Sequence, residues 1–306
     1  MATFAQSDYS ANTCATFRPI YPPTLYKVIL LYHKGPKNLA VDLGAGHGLV
    51  TRWAASQFKK VTGVDPSKRM MEQAERITNE STSEGHRSLN VEFRQGQSED
   101  LAFIKDGSVD MVVAGQAAHW FDYPKAFKEL KRILRPEGTI AFWGYMDHTF
   151  VDFPIATEIL HNYAYGMNDE SLGPYWIHPS REICENRYRD IKPPAKDFMD
   201  IQRIEYKAGT AGPASGEGIM FLHRNMKIKD CMEYTRTWSA FYYWQEAHPD
   251  RKSKADGGQG DVVDEMYEEM AKTEGWQGDG GWQEMEVEVE WGTGLLLARR
   301  RGIRIL

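Results

Sequence analysis

Cysteine is scarce in this chain of 306 residues, which contains Cys14, Cys184 and Cys231 and no Cys-x-x-Cys pair. Three widely separated thiols do not make a disulfide framework, and they lack the spacing of a zinc site. We therefore expect neither a disulfide-stabilised domain nor a bound metal, and we place the protein in a reducing compartment.

Excess positive charge and long apolar runs are also lacking. The formal net charge is −6, so the composition does not indicate a basic surface for nucleic acid. The longest apolar runs, such as Val28–Tyr32, fall far short of the roughly 20 residues that a membrane-spanning helix needs. Residues 1–19 lack the basic patch and apolar run of a secretory signal. We expect a cytoplasmic protein with no membrane and no nucleic-acid partner.

What the sequence does contain is an alternation of short apolar strands with helical patterns. Such alternation predicts right-handed crossovers and a parallel sheet covered on both faces. Arg135–Gly138 has the composition of a turn. The strands are predicted at 39–43, 61–64, 91–94, 109–114 and 139–145, and the helices at 24–33, 49–58, after Pro66 and at 124–134.

The alternation stops near Asp147, and the second half is richer in aromatic residues. Residues 148–200 have no clear period. In 284–291, glutamates predicted to face outward alternate with Met285, Val287, Val289 and Trp291, which is typical of a strand with one buried face. Further elements are predicted as a strand at 201–206, helices at 230–248 and 262–272, and loops at 208–218 and 251–261. Together these patterns predict an α/β fold with a Rossmann-like, seven-stranded, mostly parallel sheet and an added helical, aromatic lid.

Three glycines at alternate positions, Gly44, Gly46 and Gly48, follow the first predicted strand. Glycine allows positive φ and close approach of a ligand to the backbone. Asp65 ends the second strand about 20 residues later, where a carboxylate can bind ribose hydroxyls. A dinucleotide fingerprint has its third glycine where this chain has Leu49. The pattern therefore favours S-adenosylmethionine, which has no phosphate, over a nicotinamide dinucleotide.

At these motifs the chain resembles the Rossmann-like S-adenosylmethionine-dependent methyltransferases, and more narrowly the fungal trans-aconitate methyltransferase group. Two segments are the most selective for that group, Leu-Gly-Pro-Tyr-Trp at 172–176 and Arg-Thr-Trp-Ser-Ala at 236–240. The resemblance implies an N-terminal cap at 1–35, a cofactor-binding core at 36–147, and an acceptor lid with C-terminal strands at 148–306. The other matching segments are Phe17–Pro22, Asp42–Gly48, Ala117–Asp122 and Leu134–Tyr145.

The resemblance also implies which residues bind the cofactor. The loop Gly44–Gly48, which includes Ala45 and Gly46, would contact its methionine end, and Asp42 before the loop would also bind the cofactor. Asp65 would bind the ribose beside Pro66 and Ser67. Gln97 stands where many relatives have aspartate, and its amide oxygen can still accept a hydrogen bond from the adenine amino group. Arg18 could bind the cofactor carboxylate with both arms of its guanidinium. The remaining positions would be Ser98 and Glu99 at the adenine, and Gln116 and Ala117 near the sulfonium.

Methyl transfer from a sulfonium depends mainly on placing the acceptor in line and on removing water. A carboxylate acceptor is already ionised at neutral pH and needs no base. A hydroxyl acceptor usually needs one, and His119 is then the candidate, whereas His47 would support the glycine loop. Tyr9 and Tyr21 could help to close the site. The acceptor pocket is predicted at Tyr145, Tyr175, Trp176, Trp238 and Tyr242, with Arg181 binding an anion.

The leading hypothesis is an O-methyltransferase for a small carboxylate or hydroxyl acceptor, such as a fungal specialised metabolite. It would release S-adenosylhomocysteine and act as a monomer or weak homodimer. A second hypothesis is a methyltransferase fold that binds or rearranges a metabolite without methyl transfer. The intact glycines and Asp65 argue against it. A third is a nicotinamide-dependent oxidoreductase, which Leu49 and the missing Tyr-x-x-x-Lys pair oppose.

Overall fold

A mixed β-sheet with helices on both faces organises the chain. The computed structural model describes residues 17–83 and 89–302, without the side chains of 81–83. The described strands are β1 (Leu39–Leu43), β2 (Lys60–Asp65), β3 (Val91–Gln95), β4 (Val109–Gly115), β5 (Leu134–Phe150), β6 (Phe198–Lys207), β7 (Glu217–Gly218), β8 (Leu222–Lys227) and β9 (Glu286–Arg300). The described α-helices are α1 (Pro23–Tyr32), α2 (Leu49–Ala55), α3 (Lys68–Ser83), α4 (Tyr123–Ile133), α5 (Pro154–Tyr165), α6 (Ser180–Glu185), α7 (Ile228–Arg236), α8 (Ser239–Ala247) and α9 (Val262–Glu274).

The strand order is β3-β2-β1-β4-β5-β9-β6-β7, and β8 pairs with β9 off this path. Strands β1 to β5 pair in parallel, as the alternating pattern predicts. The pairings made by β6 to β9 are antiparallel. The chain order reverses between β1 and β4, and ligands of such sheets bind at the carboxyl ends of the strands beside that reversal.

The described sheet has nine strands where the sequence predicted seven, and it is mixed rather than mostly parallel. The two strands that were not predicted are β7, with only two residues, and β8, whose middle residues are all exposed. Such a strand lacks the alternation of apolar and polar residues on which the prediction depends. The predicted turn at 135–138 is a bulged part of β5, with Glu137 at φ 61° and a register shift in its pairing with β4.

Successive residues of the central strands point to opposite faces and fill two separate cores. Ala40, Met111 and Val113 pack on the side of α1 and α2. Their neighbours Val41 and Val112 pack on the side of α4. A strand buried on both faces has no polar side, which explains the uninterrupted apolar runs in the sequence. Among the described helices, none combines the length and apolar content needed to cross a membrane.

The helix predicted at 230–248 is two helices, α7 and α8, separated by Thr237 and Trp238. Trp238 has extended backbone dihedrals (φ −72°, ψ 145°), so the chain turns there before α8 begins. The aromatic periodicity continues across the break, which is why the sequence pattern predicted one helix. The break faces the carboxyl ends of the strands and supplies part of the site described below.

Candidate functional site

A tight loop of three glycines connects β1 to α2. Gly44, Gly46 and Gly48 have φ values of 70°, 53° and 83°, a region that favours glycine. A Cβ added to Gly44 would lie 2.3 Å from the Cβ of Ala117, which follows β4. At Gly46, by contrast, no described atom lies within 4 Å of the added Cβ. The loop therefore packs closely against β4 at its start and leaves open space above its middle.

The variants Gly44→Ala and Gly46→Ala should distinguish the close packing at Gly44 from the open space at Gly46. We expect Gly44→Ala to lower the free energy of unfolding by about 3 kcal/mol, because strain at positive φ adds to the clash with Ala117. Gly46→Ala should cost only about 1 kcal/mol in folding, from φ alone. Its new methyl group would occupy the open space and weaken binding of a ligand there. Urea unfolding and calorimetric titration measure the two effects; equal loss of stability in both variants would contradict this assignment.

Asp65 joins the end of β2 to the glycine loop. Its carboxylate oxygens accept hydrogen bonds from the backbone N–H groups of Gly46, at 2.9 Å, and Ser67, at 2.8 Å. The side chain is 7% exposed. Burial raises the pKa of Asp65, and the two backbone hydrogen bonds oppose that rise. Each oxygen keeps a second lone pair, so the carboxylate can still accept hydrogen bonds from a diol.

Asp42 on β1 is a buried carboxylate with one oxygen unsatisfied. Its Oδ2 accepts a hydrogen bond from the Thr51 hydroxyl at 2.6 Å. Within residues 17–83 and 89–302 no donor reaches its buried Oδ1. Burial raises the pKa of Asp42 to about 7. A buried acceptor without a donor, directly below a glycine loop, fits a cationic group on a ligand.

The segment after β3 lies beside Asp65. The Gly96 N–H donates to the Asp65 carbonyl at 3.0 Å, and the Gln95 side chain donates to the Pro66 carbonyl at 2.9 Å. Of the three residues predicted to line the adenine, Gln97 is exposed and Ser98 is buried. Glu99 accepts a hydrogen bond from the Asp122 N–H at the start of α4. Gln97 and Ser98 therefore follow a segment that is bonded to Asp65 and Pro66, and Glu99 is already engaged by the start of α4.

Gln116 and Ala117 follow β4, at the reversal of strand order. Gln116 has a φ of 53°, and its amide bonds both the N–H (2.8 Å) and the C=O (3.0 Å) of Tyr145. The side chain thus continues the pairing of β4 with β5 beyond the end of β4. Ala117 is buried against Gly44.

A pocket opens next to these residues. Of the predicted site residues, it brings together Arg18, Gln116, His119, Tyr145, Trp176, Arg181 and Trp238. The sequence prediction missed eight further lining residues: Trp120, Met146, Asp147, Ile177, Ser180, Cys184, Tyr234 and Ser239. One signal was available, because Ile177, Arg181 and Cys184 have the spacing of one helical face directly after Trp176.

Tyr175 and Tyr242, which were predicted to line an acceptor pocket, are not among the residues that line this one. The Tyr175 ring packs edge-on against His248, with 5.9 Å between centroids. Tyr242 lies one helical turn beyond Trp238 and packs against a cluster that includes Ala45 and Met70. Tyr21 is buried in the core, edge-on to Trp143 at 5.4 Å. Tyr9 lies outside the described residues.

Arg181 is buried in the pocket wall with most of its guanidinium engaged. Nη2 donates to Asp147 and to the Tyr165 hydroxyl, and Nε donates to Glu185 at 3.1 Å. The guanidinium carbon lies 4.0 Å from the centre of the Trp176 ring. No described residue bonds Nη1 of this pocket-lining side chain. The stacked, ion-paired group is therefore rigid and offers one nitrogen to a ligand.

Arg18 connects the N-terminal segment to the break between α7 and α8. Its guanidinium donates to the Thr237 carbonyl at 2.6 Å and to the Thr237 hydroxyl at 3.3 Å. Burial is the largest cause of the lowered pKa of both His47 and His119. Arg52 adds to it at His47 and Arg181 at His119, and the positive charge of Arg18 lowers both pKa values further. Arg18 therefore lines the pocket and acts electrostatically on the glycine loop as well. His47 is half-buried in the loop, and its carbonyl accepts a hydrogen bond from Arg52 at 2.8 Å.

His119 lines the pocket from the short 3₁₀ turn Ala118–Trp120. Its Nδ1 lies 2.9 Å from the Tyr188 hydroxyl. Burial, followed by the charges of Arg181 and Arg18, lowers the pKa of His119 to about 3. The ring is therefore neutral at physiological pH and is a weak proton acceptor. Within the described ranges, no group of histidine, cysteine and carboxylate side chains is arranged to hold a metal ion.

The sheet and the glycine loop have the architecture of a methyltransferase fold. A solved structure from Anaeromyxobacter dehalogenans, assigned provisionally to the type II methyltransferases, matches with a TM-score of 0.65 over 93% of this chain and 98% of its own, at 23% sequence identity. A family model described as "Methyltransferase domain" matches residues 41–142.

Sequence relatives show the family. The Saccharomyces cerevisiae protein named "Probable S-adenosylmethionine-dependent methyltransferase CRG1" is 32% identical over 291 residues, 93% of each chain. A Dictyostelium discoideum protein, provisionally named a methyltransferase, is 30% identical over 84% of this chain and 81% of its own. The chain belongs to the S-adenosylmethionine-dependent methyltransferases, and S-adenosylmethionine is its cofactor.

Proposed function

We propose that this methyltransferase esterifies a small carboxylate. S-Adenosylmethionine supplies a methyl group on a positively charged sulfur and leaves as S-adenosylhomocysteine. The glycine loop and Asp65 would hold the nucleoside, and the unsatisfied Asp42 oxygen would face the cofactor ammonium. The pocket beside them, lined by aromatic side chains and a few charged ones, would hold a small acceptor.

One observation carries the choice of acceptor. The pocket presents two guanidiniums, Arg18 and Arg181, and a histidine whose pKa is too low for proton abstraction at neutral pH. The Asp147 carboxylate is paired with Arg181. Burial raises the pKa of the Cys184 thiol to about 12. An acceptor that arrives ionised needs only donors to position it, and a carboxylate meets that condition.

The two selective segments found in the sequence support the same proposal. Trp176, which ends the first, and Trp238, in the second, lie 5.8 Å apart between ring centroids at the pocket. Thr237, also in the second segment, bonds Arg18. These contacts support the proposal that the chain belongs with the trans-aconitate methyltransferases, which it resembles in sequence.

The test is the chemical stability of the transferred methyl group. The purified protein is incubated with methyl-labelled S-adenosylmethionine and with size-matched panels of carboxylic acids, alcohols and phenols. We expect label in the carboxylic acid panel that mild alkali releases as methanol, because esters hydrolyse and ethers do not. Alkali-stable label on alcohols or phenols would overturn the carboxylate assignment, and no transfer to any panel would favour a binding protein instead.

Arg181→Lys serves as the matched variant in this assay. Lysine keeps a positive charge for Asp147 but lacks the planar guanidinium that stacks on Trp176 and donates several hydrogen bonds. We therefore expect at least a tenfold lower kcat/KM for the carboxylate. Arg76→Lys is the control, since Arg76 is exposed on α3, pairs with Glu80 and does not line the pocket. Cofactor affinity should be unchanged in both variants.

A further inference from the structure

Two adjacent residues after α6, Arg187 and Tyr188, have left-handed backbone conformations, with φ values of 52° and 62°. A helix commonly ends on such a conformation, but glycine is then the usual residue because it has no Cβ. A bulky side chain at positive φ is an outlier that costs of the order of 1 kcal/mol or more. Glycine would be less strained at position 188, so we look for a contact of the tyrosine side chain that offsets the strain.

The sheet contains a slot for this strained pair. Gly144 on β5 and Gly294 on β9 are directly paired. A Cβ on Gly144 would lie 2.6 Å from the Tyr188 ring, and one on Gly294 would lie 2.2 Å from the Arg187 carbonyl oxygen. Arg203 fixes the segment further by donating to the Tyr188 carbonyl at 2.7 Å. Gly144 thus admits the tyrosine ring, which is 1% exposed, and Gly294 admits the backbone of Arg187 before it.

In this slot the Tyr188 hydroxyl oxygen lies 2.9 Å from Nδ1 of His119, a residue of the site. Among the described residues, the other groups that hydrogen-bond this hydroxyl are the Cys184 thiol and the His119 backbone N–H. The backbone N–H can only donate, and thiol sulfur is a poor acceptor compared with an imidazole nitrogen. The hydroxyl proton is therefore directed to Nδ1.

We propose that Tyr188 is a positioning residue that fixes His119 as the tautomer protonated on Nε2, so that the pocket receives a hydrogen-bond donor instead of a base. With Nδ1 engaged by Tyr188, Nε2 is the ring nitrogen left for the pocket that His119 lines. Resting on the proposed function, we further assign the Nε2–H to an oxygen of the acceptor carboxylate.

This assignment makes Tyr188 a determinant of acceptor class. A donor at Nε2 stabilises an acceptor that carries lone pairs and no proton, as a carboxylate does. An alcohol or phenol would still need its proton removed, and this tautomer has no lone pair at Nε2 to take it. The charges of Arg181 and Arg18 both disfavour a second proton on the ring, in addition to its burial. His119 is therefore kept neutral, and Tyr188 keeps it oriented with its Nε2–H as a hydrogen-bond donor.

Nitrogen NMR on the protein with ¹⁵N-labelled histidine tests the tautomer directly. The His119 signals are assigned by their loss in His119→Gln. In the wild type at pH 7 we expect a pyrrole-type shift at Nε2 and a pyridine-type shift at Nδ1. In Tyr188→Phe, which keeps the ring in its slot, the two shifts should move towards each other as tautomers mix. A pyrrole-type shift at Nδ1 in the wild type, or no change in Tyr188→Phe, would overturn the proposal.

Activity with a carboxylate acceptor tests the donor role. Glutamine has an amide N–H near the position of Nε2 and cannot act as a base, so His119→Gln should keep kcat/KM within about fivefold of the wild type. His119→Ala should lose at least tenfold, mainly through KM. A Gln variant as poor as the Ala variant would contradict the donor role. If no carboxylate is methylated by any variant, the proposed function fails, while the NMR result still decides the role of Tyr188.

Discussion

Replacing Asp65 with alanine is expected to weaken S-adenosylmethionine binding by at least about 100-fold. Hydrogen bonds from hydroxyls to a charged acceptor each contribute about 1.5–3 kcal/mol, and a ribose can supply two of them. The substitution also removes the acceptor for the Gly46 and Ser67 N–H groups, which hold the glycine loop against β2. Loss of the carboxylate therefore removes both a ligand contact and the support of the loop.

Calorimetric titration measures this affinity, and thermal unfolding with and without cofactor checks it independently. Asp65→Asn should lie between wild type and Asp65→Ala, because its amide oxygen can still accept from one backbone N–H. Asp250→Asn is a suitable control for the change in charge, since Asp250 is exposed on the loop after α8. An Asp65→Ala variant that binds within tenfold of the wild type would show that the ribose is held elsewhere.

The glycine loop could be predicted from the sequence because its requirements are local. Gly44 and Gly46 follow β1 directly and Asp65 ends β2, so a single crossover connects them, and their chemistry does not depend on distant residues. Sequence alone therefore indicated the cofactor class, which the family relationship supports. The parallel part of the sheet was predicted for the same reason, since each strand and helix there has its own short pattern.

The pocket wall could be predicted only in part. Arg181 was identified as an anion-binding candidate, but its partner Asp147 was not, because the pairing joins β5 to α6 across the fold. The role of Tyr188 has no sequence signal at all. It depends on two glycines that meet only when β5 and β9 pair, and on a backbone conformation that tyrosine seldom adopts.

One charged residue illustrates the limit of periodicity. Glu290 belongs to the series of glutamates predicted to face outward from β9, yet it is fully buried. It accepts hydrogen bonds from the Tyr206 hydroxyl at 2.5 Å and from the Ala214 N–H at 2.6 Å. The loop before β7 covers this part of the strand, and a local pattern cannot reveal which segment will cover a residue.

The second large expected effect is a dependence of stability on pH that comes from Asp42. Its pKa is about 7 in the folded protein against 3.8 for the ordinary side chain. Between these values the folded state binds more protons than the unfolded state, so the free energy of unfolding falls as pH rises. The loss is complete above pH 7 and amounts to about 4 kcal/mol, from about 1.4 kcal/mol per pKa unit.

Asp42→Asn should remove this dependence and bind the cofactor poorly. The neutral amide keeps an oxygen for the Thr51 hydroxyl, so without cofactor the variant should be more stable than the wild type at pH 8 and similar to it at pH 4.5.

Cofactor binding by the wild type should respond to pH in the opposite direction, because the ammonium that we propose beside Oδ1 favours the ionised carboxylate. Wild-type affinity for S-adenosylmethionine should therefore rise between pH 6 and pH 8, and that of Asp42→Asn should not. The free energy of unfolding and the calorimetric binding affinity are measured against pH in both proteins. If the wild type and Asp42→Asn show the same pH dependence of affinity, the Asp42 carboxylate does not contact the cofactor. Opposite trends in stability and affinity would mean that the chain keeps an unfavourable charge below the glycine loop because the cofactor compensates it.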